Sequence, residues 1–532
     1  MRGGRSTHKA PTAYRLRCLG SPSRWRAKAT AGGDICSTAR SGSWALRRRE
    51  RAEMSDEIWR WSAQTVAQSI RDTTVSCVEV TTAALNRLEE VEQISNAFGE
   101  VADAALDRAK EADAGLARGE DVGPLHGVPV AFKLNTGIEG RPAPDGVAEY
   151  LAAPVDETAP VITNLLNAGA VEIGRTNVPS FSLRWCTESE HWGRTLNPWD
   201  PAVTAGGSSG GAAVAVATGV VPIAHGNDIG GSIRYPAAVC GVVGLRPSRG
   251  RVPIWHPAAG PGMPLIFSEF AVEGALTRTV ADARLALSVL GRPDPRDPNS
   301  VPAGMAAVPG ARRVAIVTDP GDLPYACAGT PETVQAVRDA GRWLADAGYE
   351  VEEVELPLLG EAAQLWWELL LTEMRTIGFT AEIDRIAERQ IGRAVEHWYT
   401  YAGEVFDDLT MADVAARWNQ RHLVRRRVSE FMADFPLLLL PNSGEPAFGY
   451  GRDVDSVESA VELIRHQWPN TAVPLLGLPG LGMGVTTGGG GKAPLGVQLI
   501  GRAFDEESVL QAAEIIERAS AIRTPIDPVR PA

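Results

Sequence analysis

A chain of 532 residues that is 44% hydrophobic and 22% charged has material for a large core and lies far from the low-hydropathy composition of disordered proteins. Its 52 basic against 65 acidic side chains leave a net charge of −13, which argues against a nucleic-acid partner, because phosphate neutralisation asks for a basic surface. No run reaches the roughly 18 apolar residues of a membrane span, and six scattered cysteines without a CxxC pair (Cys18, Cys36, Cys77, Cys186, Cys240, Cys327) argue against a disulfide scaffold and a zinc site, so a reducing, cytoplasmic setting is expected.

Charge is unevenly spread along the chain. Residues 1–53 hold 11 Arg and 2 Lys against Asp34, Glu50 and Glu53, a net of +10, and residues 54–532 carry −23. Without apolar periodicity or the continuous apolar stretch of a secretory signal, residues 1–53 read as a disordered, dispensable basic extension, or as an over-extended start with Met54 as the first residue; a transit peptide is the rival reading. Residues 54–532 read as a single domain. Ser76 followed by Glu79 is a capping box, and Val78, Leu85, Leu88 and Val91 continue at helical spacing. A short apolar strand at 128–133, a helix at about 159–168 and a second strand at 171–173 follow, an alternation that reads as α/β.

Residues 205–250, AGGSSGGAAVAVATGVVPIAHGNDIGGSIRYPAAVCGVVGLRPSRG, are unlike the rest. Glycine-rich turns bracket an Ala/Val helix at about 211–218, and two GGS elements end in Ser208 and Ser232. Glycine at this density costs backbone entropy unless something must approach closely, and the run from Asp228 to Gly231 is placed to aim successive amides at one point. Phosphate cradling does not fit, since neither this segment nor Gly488–Lys492 supplies GxxxxGK followed by a hydroxyl; the latter, followed by Ala493 and Pro494, reads as a hairpin turn. Gly206–Gly210 formally matches the GxSxG nucleophile elbow, but that elbow follows a buried strand, and residues 197–204, rich in Pro, Asp and Asn, do not make one. His397 and His466 are candidate bases for it, with nothing around them to single one out. The remaining reading is a serine nucleophile activated by something other than histidine.

The stretch from Gly206 to Pro247 resembles the signature sequence of the amidase signature family. PLHGVPVAFKLN resembles that family's lysine strand, AGAVEIGRTNVPSFS the segment beneath the signature, and PLGVQLIGRAFDEESVLQAAEIIE its closing strand and helix; together the resemblance covers about residues 75–520. It implies an α/β amidase signature fold, a mixed twisted sheet sandwiched by helices, and an amidase that works through Ser232 as nucleophile, Ser208 as a bridging serine after a cis peptide bond, and Lys133 as base. It further implies an oxyanion hole of the Ile229, Gly230, Gly231 and Ser232 amides, with Asp228 and Arg234 holding the loop; a surface ion pair is the rival for these two. Ser209 is expected either to support the Lys133 and Ser208 hydrogen bonds or to cap the following helix.

The residue types suit that chemistry. A lysine serves as base only when neutral, which burial achieves by lowering its pKa from about 10.4, and Val130, Ala131, Phe132 and Leu134 supply an apolar neighbourhood. Leu134 departs from the family, in which many members carry Asp after the lysine. The eight histidines include no HExxH or close pair, so no metal or cofactor is expected, and His191 and His225 read as polar anchors near the site. Aromatic-rich residues 360–435 show helical clustering and read first as core; the resemblance implies the alternative, a helical, lid-like insertion over the active-site mouth that would favour an apolar or aryl acyl group. The expected partner is a small-molecule amide, without nucleic acid or membrane, and a homodimer is open to the chain. Two rivals share the fold. The ammonia-transferring chain of the glutamyl-tRNA amidotransferase passes ammonia to partner subunits, and it typically has Gln where this chain has Tyr235; a catalytically inactive binding protein would be expected to have lost Ser232 or Lys133.

Overall fold

The computed structural model describes residues 57–259, 263–304, 312–386, 388–488 and 493–531, and residues 52–532 form one compact unit. The basic segment 1–53 and most of the turn at 488–492 lie outside the described residues.

The four consecutive leucines Leu437–Leu440 show how the chain is layered. All are fully buried, and side chains along a strand alternate between faces. Leu437 and Leu439 therefore join Val130, Phe132, Val497 and Leu499 in one core, and Leu438 and Leu440 join Ala131 and Ile500 in another. A strand that reads as an unbroken apolar run is one with both faces covered.

In chain order the strands are β1 (Phe98–Val101), β2 (Pro129–Lys133), β3 (Val171–Thr176), β4 (Glu188–Ser189), β5 (Gly193–Arg194), β6 (Ile223–Asp228), β7 (Val243–Arg246), β8 (Val272–Thr277), β9 (Arg313–Ile316), β10 (Glu350–Glu353), β11 (Leu437–Pro441), β12 (Gly480–Thr487) and β13 (Pro494–Gly501). β4 and β5 form a small ribbon; the other strands make one sheet in the order β1-β3-β2-β6-β8-β7-β12-β13-β11-β9-β10. The sheet is mixed. β2 runs parallel to both β3 and β6, β6 through β11 pair antiparallel, and β9 is parallel to β11 and β10.

Helices cover both faces. Ala63–Arg71, Pro160–Asn167, Val280–Leu290, Pro331–Asp346 and Glu506–Ala519 pack on one core, and Gly210–Ala217, Arg234–Cys240, Leu358–Thr376 and Trp468–Leu476 on the other. The capping box begins the Cys77–Ser95 helix, with Ser76 Oγ accepting from the Glu79 amide and the Glu79 carboxylate from the Ser76 amide. Pro160, at the first turn of its helix, loses no intrahelical hydrogen bond there. The aromatic-rich segment is helical, as Leu358–Thr376, Phe379–Ile386, Arg389–Val405 and Met411–Asp434. Trp366, Trp367 and Trp398 within it are buried in the core. Among the described residues no helix is long and apolar enough to cross a membrane, and Cys77, Cys186, Cys240 and Cys327 are free thiols.

Candidate active site

The sheet brings Lys133 and the glycine-rich segment together because β2 and β6 are neighbours. Lys133 ends β2, and Asp228 ends β6 where that strand turns into the loop carrying Ser232. The Gly210–Ala217 helix packs against both strands, and Ser208 lies just before its first turn. A tight frame holds that turn. Thr187 Oγ1 donates to the Gly206 carbonyl at 2.9 Å and accepts from the Gly210 amide at 3.0 Å, and the Ser209 amide donates to the Ser232 carbonyl at 3.2 Å, tying the two serine loops to each other. The Gly207–Ser208 peptide bond is cis.

Lys133 is fully buried. Its Nζ donates to Asn227 Oδ1 at 2.6 Å and lies 2.7 Å from Ser208 Oγ. Burial holds the lysine down to about 8, against the pull of the Asp145, Glu273 and Asp228 carboxylates in the opposite direction. Behind it, the Lys133 amide donates to His225 Nδ1 at 3.4 Å, and a buried Glu273 sits between His225 Nε2 at 2.6 Å and His256 Nε2 at 3.2 Å. His191 is exposed in the turn of the β4–β5 ribbon, stacked edge-on against Trp192, and contributes nothing to the site, which its polar neighbours in sequence do not reveal.

Asp228 and Arg234 are both fully buried, so the surface-pair reading fails. Arg234 donates twice to the carboxylate at 2.9 Å, and Arg246 adds a contact at 3.4 Å. Burial pushes the Asp228 carboxyl up, but the two guanidiniums and the Gly231 amide overcome this and hold it well below the usual carboxylate range. Its oxygens also accept from the Gly231 amide at 2.9 Å and the Ile233 amide at 3.2 Å. This corrects the four-amide hole: Gly231 N–H is turned inward to Asp228, and Ile229, Gly230 and Ser232 are the amides of the loop that make no hydrogen bond to another described residue. Gly231 has φ +99°, which a side chain would strain, and a Cβ there would collide with Asn470. Replacing Arg234 with Met leaves the buried Asp228 with Arg246, at 3.4 Å, as its one remaining charged partner among the described residues. Unfolding by guanidinium chloride is expected to show a loss of about 3–5 kcal/mol, and an unchanged midpoint would refute this role.

Ser209 does neither thing expected of it. Among the described residues its Oγ has no hydrogen-bond partner and makes no cap, because the hydroxyl is turned against β6, where a Cβ on Gly226 would stand only 2.9 Å from it.

Ser208 and Ser232 line one cavity of about 730 Å³. Its wall is largely apolar, with Tyr150, Phe181, Ile266, Leu370, Met374 and Phe379; Phe181 meets Phe379 edge to face at 5.2 Å. Two indoles reach the loop before Ser232. Trp185 Nε1 donates to the Gly230 carbonyl at 2.7 Å and Trp366 Nε1 to the Ile229 carbonyl at 2.9 Å; the Trp366 contact fixes the peptide plane that carries the unpaired Gly230 N–H, and the Trp185 contact the plane whose Gly231 N–H is held by Asp228. Asn135, Asn227, Trp185 and Trp366 do not emerge from the sequence alone. Asn135 stands only two residues after Lys133, but in the turn beyond the end of β2, where strand alternation no longer says which way it faces.

This arrangement supplies a buried amine near neutrality, a hydroxyl bonded to it, a second hydroxyl on the same cavity, and preorganised amides. A family model described as Amidase matches residues 79–510. The chain is similar to the indoleacetamide hydrolase of Bradyrhizobium diazoefficiens, 38% identical over 475 residues that cover 87% of this chain and 87% of that protein. It is also similar to the A subunit of the glutamyl-tRNA(Gln) amidotransferase of Carboxydothermus hydrogenoformans, 32% identical over 497 residues that cover 87% and 98%. Among solved structures, a bacterial aryl acylamidase of the amidase signature enzymes superimposes with a TM-score of 0.72 at 25% identity, over 86% of this chain and 96% of that one.

Proposed function

This chain belongs to the amidase signature family and is an amidohydrolase acting on C–N bonds, and from that premise we propose that it is a free-standing amidase working through Ser232, Ser208 and Lys133. The observation that carries the proposal is the 2.7 Å contact of Lys133 Nζ with Ser208 Oγ, on a cavity that Ser208 shares with Ser232.

In the proposed sequence Ser232 Oγ attacks the amide carbonyl. Its proton passes to Ser208, whose own proton passes to neutral Lys133. The oxyanion is met by the Ile229, Gly230 and Ser232 amides, and losing one such donor typically costs about 3–4 kcal/mol. Collapse breaks the C–N bond, with Ser208 protonating the departing nitrogen and recovering a proton from Lys133. Ammonia or amine leaves an ester on Ser232, and water, deprotonated along the same route, releases the carboxylic acid.

The aromatic wall supports an aryl or other apolar acyl group, and the similarity to an indoleacetamide hydrolase supports an arylacetamide. Tyr235, which separates this chain from the amidotransferase pattern, is buried and stacked on Phe448 at 6.1 Å, so the difference lies in packing and not at the cavity. The test is ammonia release by the chain alone from a panel of primary amides. Phenylacetamide and indoleacetamide are expected to exceed acetamide and glutamine in kcat/KM by about tenfold or more, each buried methylene contributing roughly 0.8 kcal/mol. Glutamine hydrolysis that appears only on adding amidotransferase partner subunits would overturn the free-standing reading, and binding without turnover would support an inactive binding protein.

A further inference from the structure

The polar side chains beyond Lys133 form a file with a direction. Lys133 Nζ donates to Asn227 Oδ1 at 2.6 Å, Asn227 Nδ2 to Asn135 Oδ1 at 3.1 Å, Asn135 Nδ2 to Ser182 Oγ at 3.1 Å, and Ser182 Oγ to Asp145 Oδ1 at 2.5 Å. Two side contacts agree with that order: Thr136 Oγ1 donates to Asn135 Oδ1 at 3.1 Å, and Asn135 Nδ2 approaches Asn227 Oδ1 at 3.4 Å. The far end sets the direction. A carboxylate only accepts, so Asp145 takes the single proton that Ser182 owns and leaves Ser182 with lone pairs alone to offer Asn135. Asn135 must then turn its NH2 toward Ser182 and its oxygen toward Asn227, and Asn227 must turn its NH2 toward Asn135 and its oxygen toward the lysine. A carboxamide donates at one end and accepts at the other, so the choice made at Asp145 arrives unchanged at Lys133 Nζ.

We propose that Asp145 is a positioning residue for the amidase reaction, acting through Ser182, Asn135 and Asn227 to keep an oxygen, and never an NH2, against the Lys133 amine. The inference rests on the reading of Lys133 as base. A neutral amine has two N–H bonds and one lone pair. With Asn227 Oδ1 engaging an N–H, the lone pair is left for the Ser208 hydroxyl. A flipped Asn227 would donate to that lone pair, and the proton of Ser208 would have no acceptor. The backbone that carries Asp145 is built for the contact: the Phe181 amide donates to the Asp145 carbonyl at 2.7 Å, and Asp145, Phe181 and Ser182 all adopt left-handed φ, at 48°, 57° and 53°, a region that non-glycine residues enter rarely and that costs strain. The titratable groups facing Lys133 are Asp228 and His225 from β6, Glu273 from β8 and Asp145 itself, and His256 faces Asp145.

The test compares Asp145→Asn, Asn227→Asp and Lys133→Ala in the full chain, with phenylacetamide turnover across pH and the rate at which a fluorophosphonate labels Ser232. Asp145→Asn keeps the shape but allows either direction along the file and removes a negative charge. It is expected to lower kcat and the labelling rate by about 10–100-fold, to leave KM within about threefold, and to move the acid limb of the pH profile to lower pH, since the neutral lysine is favoured. Asn227→Asp, an acceptor at both oxygens, is expected to move that limb to higher pH. Wild-type kcat and acid limb in Asp145→Asn, or a change confined to KM, overturns the inference. Lys133→Ala separates the two claims: if it is inert while Asp145→Asn behaves as wild type, the file alone fails, and if Lys133→Ala turns over normally, the base reading fails and the file with it. Should Asp145→Asn not fold, Ser182→Ala breaks the file one step later and is expected to give the same loss of kcat at unchanged KM; wild-type kcat there overturns the inference.

Discussion

Ser232→Ala is expected to abolish turnover, by about 10⁴–10⁶-fold in kcat, and to abolish the covalent adduct. The residue lies at the start of the Arg234–Cys240 helix, its loop fixed by the Asp228 ion pair on one side and by the two indole contacts on the other. The alanine variant therefore keeps its cavity and loses only the oxygen that forms the ester. Ser208 is held in hydrogen-bond contact with Lys133, which suits it to pass protons. Trapping the acyl-enzyme with a slow aryl amide, followed by peptide mass spectrometry, is expected to place the adduct on the peptide containing Ser232. An adduct on Ser208, or near-normal turnover by Ser232→Ala, would discard the assignment and return attention to the GxSxG elbow.

Lys133→Ala is expected to lower kcat/KM by about 10²–10⁴-fold and to erase the acid limb of the pH profile. With the lysine held down to about 8 by burial, the neutral amine is the major form above that pH, so the wild-type rate should fall about tenfold per unit as pH drops below it. The variant, lacking the group, should be flat there. A stability effect follows with its own sign. The folded value of about 8 lies below the unfolded 10.5, so between the two the unfolded chain binds more protons and folding becomes more favourable as pH rises. Below about 8 both states carry the proton, and the cost of burying the charged amine applies in full. Unfolding midpoints of wild type and variant measured at pH 7 and pH 10 are expected to show a larger rise with pH in the wild type; the same pH dependence in both would contradict a lysine titrating near 8.

The α/β class, the lysine strand and the two serine turns are legible in the sequence because each rests on local pattern: an apolar run ending in Lys133, a capping box at Ser76 and Glu79, and glycine where backbones pass close together. The four leucines of β11 carry the same kind of information, since an unbroken apolar strand announces two covered faces. Pairing between distant segments lies beyond reach. Asp145, Ser182 and Asn227 are polar residues in loops or at a strand end, and nothing in their own neighbourhoods says that they meet. The Gly231 amide groups with its neighbours because it stands in the same run, while its orientation depends on how the carboxylate of Asp228 is turned, and that depends on Arg234 and Arg246. Ser209 defeats a local reading for a similar reason, its environment being set by Gly226 on the neighbouring strand.

The Trp366 indole binds the Ile229 carbonyl from a helix that also supplies Leu370 and Met374 to the cavity wall. Substrate choice and rate thus share a mechanical support. Changes made at Leu370 or Met374 to admit a larger acyl group act on the helix that braces the donors of the transition state, so variants selected for a broader range should lose speed for favoured and new substrates alike. The rate could be recovered by substitutions on the outer side of the same helix, far from any substrate atom, and a laboratory evolution experiment that screens only pocket positions would miss them.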